Sequence, residues 1–505
     1  MTLGGALAML LLLAPVQPAA GPQAASRARQ GAARASALAM FARAYYPGRS
    51  GQIALVPKEG EFITRRGTDF MHGSPWDYDV RIPFLLWGPG RVRKGEFGAP
   101  VALQDLAPTL ARMLGVALPG ATGRPLGEAL VPGTHPPRAM LLLVLDGMRA
   151  DYLDRFPAEL PTLTRLRREG AAFDHARVTY APSITSAGHA TIATGTDPRL
   201  HGIVTNTIFD RTSGKEADIL PALSPRNLMS LALADVWNLQ TDGQAVIATQ
   251  VSIGRAGALA GHGACLLGAR PTLYAAYDLA SGHWQTDPAC FRLHESYAIL
   301  DSRSVWEREG GTWMGHPIAD PDSVRRTAPF AAFEGDALAG LLEREPIGQD
   351  EVTDLVLANF KVADFIGHAY GPDSAELRAG LAETDRQIGR ILALLDRKAG
   401  RDLVVAITAD HGMPSEPPAG GRHYAEDIVK LLHERLDPEG KLVTHYSAEN
   451  SQFFVDRRRL AELGLTLEQV RDAVQALPFV FAAFTEDEVR RSAAEARGLR
   501  APTRR

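Results

Sequence analysis

Asp364 and His368 stand four residues apart in the stretch Asp364-Phe-Ile-Gly-His368. On a helical turn that spacing puts both side chains on one face, close enough to share a cation. A surface pair has the same spacing, so the motif gains weight only from its company. Asp410 and His411 follow the apolar run Leu403–Thr408 and precede Gly412. Charges there are costly inside a sheet but natural at its functional edge. Asp146 ends a third apolar run, Ala139–Leu145, and Gly147 follows it. In residues 181–195 (APSITSAGHATIATG), Ser186 to Thr194 suits a short helix with Thr185 at its N-terminus. Exposed N–H groups and the helix dipole favour an anion there, a phosphate among them. A hydroxyl nucleophile needs activation, which a bound cation supplies. An ordinary N-cap threonine carries the same signature. His72 lies far upstream among carboxylates, in DFMHGSPWDYD (69–79).

Four apolar runs must position these groups: residues 82–87, Ala139–Leu145, Asp354–Phe360 and Leu403–Thr408. Uninterrupted apolar strands alternating with helical patterns predict an α/β fold, a parallel sheet covered on both faces. The active site of such a sheet lies beyond the carboxyl ends of its strands. Three strands delivering carboxylates to one edge is the strongest architectural signal. Helical spacing marks residues 102–114, 160–169, 375–395 and 425–434. Residues 210–348 are rich in Trp, Gly and His with weaker periodicity, and are expected to form an inserted cap. The catalytic core is then 139–209 together with 349–490, in which 445–490 forms a small α+β piece, and 491–505 is a tail.

The chain has 505 residues, 45% hydrophobic and 22% charged, with a net charge of -4. That balance implies neither a nucleic-acid-binding surface nor an acidic tail, and no apolar run reaches membrane-spanning length. Residues 1–20 have the apolar core and small residues of a secretory signal, which predicts a periplasmic or secreted protein. Residues 21–37, rich in Ala, Arg, Gln and Ser, are expected to be a flexible linker. The two cysteines, Cys265 and Cys290, either pair in an oxidising compartment or are unrelated buried thiols.

Taken together, VLDGMRADYL around Asp146, PSITSAGHATIATG, HGIVTN (201–206), ADFIGHAYGPD and TADHG resemble the alkaline phosphatase superfamily in order and spacing. The branch is the one with a threonine nucleophile: type I phosphodiesterase/nucleotide pyrophosphatases and related periplasmic alkaline phosphatases. The resemblance covers roughly residues 38–490 and implies that family's sheet, sandwiched by helices. It implies two Zn²⁺ ions, one held by Asp146, Thr185, Asp410 and His411, the other by Asp364 and His368 with a further histidine. It also implies that Thr185 is ligand and nucleophile and that Asn206 contacts a phosphoryl oxygen. Phosphorylated small molecules would be the substrates.

In the family the third ligand of the second zinc follows the DHG motif, in a stretch like HGSPYDYD. After His411 this chain offers His423, His433 and His445, none in that context. The match is His72, in HGSPWDYDVRIPFLLWGPG, followed by QDLAPTL (104–110). The chain therefore resembles a circular permutation. The usual C-terminal piece, 38–131, precedes the usual first strand, and 132–138 is the new joint; a remnant of a fused duplicate is the alternative. Monoester preference needs extra positive charge around the phosphoryl group. The family's Lys-x-Arg pair falls at VSIGRAGALAGH (251–262), where Arg255 matches the arginine and the lysine is missing. That departure keeps a phosphodiesterase or nucleotide pyrophosphatase open beside an alkaline phosphatase. A non-catalytic binding homologue is disfavoured, because buried carboxylates without metals would be costly.

Overall fold

The computed structural model describes residues 22–498 except Asn450, so the signal-like residues 1–20 lie outside the described residues. A ten-stranded sheet forms the centre. Its middle is five parallel strands in the order Thr272–Tyr277, Ile247–Val251, Asp354–Phe360, Ala139–Leu145 and Leu403–Thr408. Three of the four expected parallel strands appear with the expected bounds and are buried along their full length, whereas the fourth, 82–87, forms only over Phe84–Trp87 and is not parallel. Phe84–Trp87 extends the sheet antiparallel to Leu403–Thr408. Register matters for the site: Phe360 pairs with Leu145, and Thr408 with Val144. The carboxyl ends of three neighbouring strands therefore finish at one level. Helices Ala328–Arg344 and Ala375–Ala399 pack on each other beside the sheet, and Thr185–Thr194 packs on Leu106–Met113.

Residues 210–348 are not a separate cap. Ile247–Val251 and Thr272–Tyr277 are parallel strands of the central sheet. Ile247–Val251 escapes detection because buried Thr249 and Gln250 interrupt its apolar pattern. Gln250 is satisfied internally: its Nε2 donates to Glu334 O at 3.0 Å, and its Oε1 accepts from Tyr297 at 3.0 Å. Nor do the described residues of the expected 21–37 linker form a flexible segment, since a helix runs over Pro22–Ala44. Ala and Arg are strong helix formers. The helix is anchored as well, with Ala37 and Phe41 buried against Phe484, and Arg34 donating to Gln475 and Ala483. The expected tail from 491 is helical as far as Gly498, and Ala493 is buried in the same cluster.

A second sheet of four strands has the order Val443–Ser447, Gln452–Val455, Ile53–Pro57, Val480–Thr485. Its third strand comes from the front of the chain and is antiparallel to both neighbours. Cys265 and Cys290 are joined by a disulfide. Among the described residues no helix is long and apolar enough to cross a membrane.

Candidate active site

Three of the five parallel strands hand a group directly to the site. Asp146 follows Ala139–Leu145, Lys361 follows Asp354–Phe360, and Asp410 and His411 come just after Leu403–Thr408. Helix Val362–Tyr370 then carries Asp364 and His368 one turn apart. Two glycines permit the crowding. Gly147 has φ +70°, and a Cβ there would lie 2.9 Å from the Asp364 Cα. A Cβ on Gly188 would lie 2.4 Å from the Asp410 Cβ, so only glycine lets the helix Thr185–Thr194 approach that loop.

The structure gathers all seven residues expected as metal ligands. His411 Nε2 is 3.4 Å from Asp146 Oδ1, from Asp410 Oδ2 and from Thr185 Oγ1. Asp364 Oδ1 is 3.3 Å from His368 Nε2 and 3.5 Å from His72 Nε2. The His72 ring stacks on His411 with centroids 3.5 Å apart. His72 thus lies beside Asp364 and His368 despite its position in the chain. His423, His433 and His445 are elsewhere: His423 bonds Glu61, His445 bonds Glu216, and His433 accepts from the Val443 N–H.

Two groups of donors could each hold a cation: His72, Asp364 and His411, and Asp146, Asp410 and His411. The chemistry of the donors fits. The outer nitrogen of each histidine donates to a backbone carbonyl: His72 Nδ1 to Ser183 O at 2.9 Å, His368 Nδ1 to Phe70 O at 2.6 Å, His411 Nδ1 to Gly412 O at 2.9 Å. That fixes the tautomer and leaves each Nε2 lone pair facing inward, as metal-bound histidines require. Buried Asp364 Oδ1 and Asp410 Oδ2 have no hydrogen-bond donor. Asp146 Oδ1 has only the Lys361 ammonium, 2.7 Å away but outside hydrogen-bond geometry. Orphaned carboxylate oxygens at this depth call for a cation.

Electrostatics agree. Burial, with His411 and His368 alongside, holds His72 well below its ordinary value, so it stays neutral and able to ligate. Burial opposes ionisation of Asp364, but Lys361 and His368 outweigh it and hold the carboxyl well below the usual range. Asp410, likewise buried, is held at about 2 by His411 and His189. Asp146 goes the other way, raised by burial and by the neighbouring Asp410 charge.

Thr185 opens the helix Thr185–Thr194, as expected, and is buried. Asn206 Oδ1 accepts from Ser186 N–H at 3.1 Å and Oγ–H at 2.9 Å, and its Nδ2 donates to Glu449 Oε2 at 2.6 Å. Arg255 reaches the same carboxylate at 3.6 Å. Thr185, Asn206, Arg255, Lys361 and Glu449 line one cavity with the Asp364 group.

Several groups escape sequence reasoning. Lys361 sits three residues before Asp364, yet a lysine next to acids reads as a surface residue. His189, four residues after Thr185 on its helix, has Nδ1 2.9 Å from Thr185 O and 3.3 Å from Asp410 Oδ2. Its Nε2 accepts from Asn359 Nδ2, which also reaches Asp146 Oδ2 at 3.1 Å. Helical i,i+4 spacing from Thr185 was the available signal for His189. Glu449 offers none.

Residues 140–489 match the family described as Type I phosphodiesterase / nucleotide pyrophosphatase. The chain belongs to this family. Its activity is that of a phosphoric ester hydrolase. Alkaline phosphatase PafA of Elizabethkingia meningoseptica is 26% identical over 423 residues, covering 70% of this chain and 76% of the relative. Alkaline phosphatase PhoV of Synechococcus elongatus is 25% identical over 389 residues, covering 65% and 69%. Venom phosphodiesterase 2 of Crotalus adamanteus is 24% identical over 295 residues, covering 58% of this chain and 28% of that protein. The crystal structure of wild-type PafA shares the fold, with a TM-score of 0.56 at 20% identity over 68% of this chain and 77% of that one.

Proposed function

We propose that this hydrolase cleaves phosphate esters in two steps through a phosphothreonine on Thr185, at a centre for two Zn²⁺ ions. The observation that carries the reading is the place of Thr185 Oγ1. It lies at a helix N-terminus, 3.4 Å from the Nε2 of His411, a member of both groups of Asp and His donors. Asp146, Thr185, Asp410 and His411 would hold one ion, and His72, Asp364 and His368 the other. Bound there, the ions supply Lewis acidity to the attacking and leaving oxygens. Thr185 Oγ forms a bond to phosphorus while the bond to the alcohol oxygen breaks, and the alcohol leaves with a proton. Water then attacks the same phosphorus from the vacated side, the phosphothreonine bond breaks, and Thr185 regains its proton. On this reading Asn206 Nδ2, which lines the same cavity as Thr185 and donates to Glu449, would turn to a phosphoryl oxygen.

A second reading, hydrolysis of diesters or nucleotide pyrophosphates, draws on Glu449. Its carboxylate engages both Asn206 and Arg255, which lowers the positive charge offered to a dianion. Rates on p-nitrophenyl phosphate and on its bis-ester, for wild type and Thr185→Ala, decide between them. Faster monoester turnover that vanishes in Thr185→Ala is expected; unchanged rates in that variant would remove the nucleophile.

We further infer a circular permutation. Supporting it are the strand Ile53–Pro57 inside a sheet of late strands, His72 beside Asp364, and a family match that begins only at residue 140. A periplasmic or secreted location is supported by the Cys265–Cys290 disulfide, since such bonds persist in oxidising compartments.

A further inference from the structure

Lys361 is fully buried, yet it lines the same cavity as Thr185 and Asn206. Its ammonium is 2.7 Å from Asp146 Oδ1, 2.7 Å from Asp364 Oδ2, and 3.2 Å from Thr185 Oγ1. Like His411, it therefore touches both carboxylate groups and the nucleophile, but as an ammonium rather than an imidazole. Its place is enforced from behind. The Lys361 N–H donates to Glu334 Oε1 at 2.9 Å, and Glu334 is itself buried on helix Ala328–Arg344.

The other cations lining the cavity are Arg65, Arg255, Arg325 and Arg326, and each is turned to a carboxylate outside the metal groups. Arg65 and Arg255 face Glu449, and Arg325 and Arg326 face Asp322. The partners of Lys361 are instead the carboxylates that bound metal ions would share. Charge counting then has a consequence. Three buried carboxylates against two divalent ions leave one positive charge, which matches the single charge of a phosphodiester. Adding Lys361 leaves two, which match a monoester dianion.

We propose that Lys361 is a third cation of the catalytic centre, gripping a phosphoryl oxygen beside Thr185 and biasing the enzyme toward dianionic monoesters. Its Asp364 contact is to Oδ2, while Oδ1 faces His72 and His368, so the lysine and a metal ion on those histidines use different oxygens. The assignment rests on the phosphoryl-transfer reading above.

The test uses zinc-loaded enzyme and the variants Lys361→Met, Lys361→Arg and Thr185→Ala. Three quantities are measured: kcat/KM on p-nitrophenyl phosphate and its bis-ester, inhibition by inorganic phosphate, and zinc per chain by mass spectrometry. Lys361→Met is expected to keep its zinc, to lose about 100- to 1,000-fold on the monoester, the scale for one oxyanion donor, and under about tenfold on the diester. Inorganic phosphate should bind correspondingly more weakly. Equal losses on both esters, or zinc content that falls or rises, overturn the proposal; a rise would mean that the ammonium had stood in for a metal ion. Should Lys361→Met not fold, Lys361→Arg decides, because it keeps the charge: a monoester-to-diester ratio near wild type supports the proposal and a collapsed ratio refutes it. Wild-type rates in Thr185→Ala would instead sink the underlying mechanism, whatever Lys361 does.

Discussion

The two proposed metal sites are built by different means. Asp146, Asp410 and His411 follow adjacent parallel strands whose register ends them at one level, and all three are fully buried. Asp364 and His368 share one helix, but His72 arrives on a separate segment, and the His368 side chain is 24% exposed. Sheet register alone places the first group. The second forms only when the segment bearing His72 docks, through Phe84–Trp87 on the main sheet and Ile53–Pro57 on the small one. One centre thus has a half set by local geometry and a half set by long-range association.

Four changes probe that difference. Asp410→Asn attacks the register-built half at a carboxylate facing both His411 and His189; a loss of about 1,000-fold in kcat/KM or more is expected, with one metal ion missing by mass spectrometry. Activity near wild type would show that this half is dispensable. His72→Ala attacks the docked half and should lose the other ion, with a drop of about 100-fold. His423→Ala and His445→Ala should retain both ions, and metal loss in either would undo the choice of His72.

Glu334, behind Lys361, gives a pH test. Burial raises its carboxyl to about 8. The folded state then holds this proton more tightly than the unfolded chain, so its contribution is most favourable below the ordinary carboxylate value. That contribution is lost as pH rises from there to about 8. Glu334→Gln removes the dependence, so its Tm should gain on wild type by several degrees between about pH 5 and pH 8.5. Parallel Tm curves would contradict this. The smallest effect is expected from reordering: a chain opened at residues 132–138, with residue 498 linked to residue 22, should turn over within a few-fold of wild type. An unfolded product would argue that the present order is required.

How much was legible depended on burial pattern. Ala139–Leu145, Asp354–Phe360 and Leu403–Thr408 could be bounded because every residue faces a dry layer. Ile247–Val251 could not, because Thr249 and Gln250 are polar yet buried, and only tertiary partners such as Tyr297 reveal why they are tolerated. The helix Pro22–Ala44 was hidden by its Ala- and Arg-rich composition, which linkers share. At the site, motif context located His72 with its two partners. Lys361 stayed hidden because an ammonium among carboxylates looks the same in sequence whether solvated or buried.

The strand Ile53–Pro57 also sets an order of events during synthesis. It leaves the ribosome early, yet both strands that flank it, Gln452–Val455 and Val480–Thr485, are made near the end. Until they appear its edges are unpaired, and His72 itself waits for Asp364 and His368. Contacts of such sequence separation form slowly and leave sticky edges exposed meanwhile. The small sheet therefore cannot close on a growing chain, and a chain stopped short of residue 480 would leave one edge of Ile53–Pro57 open.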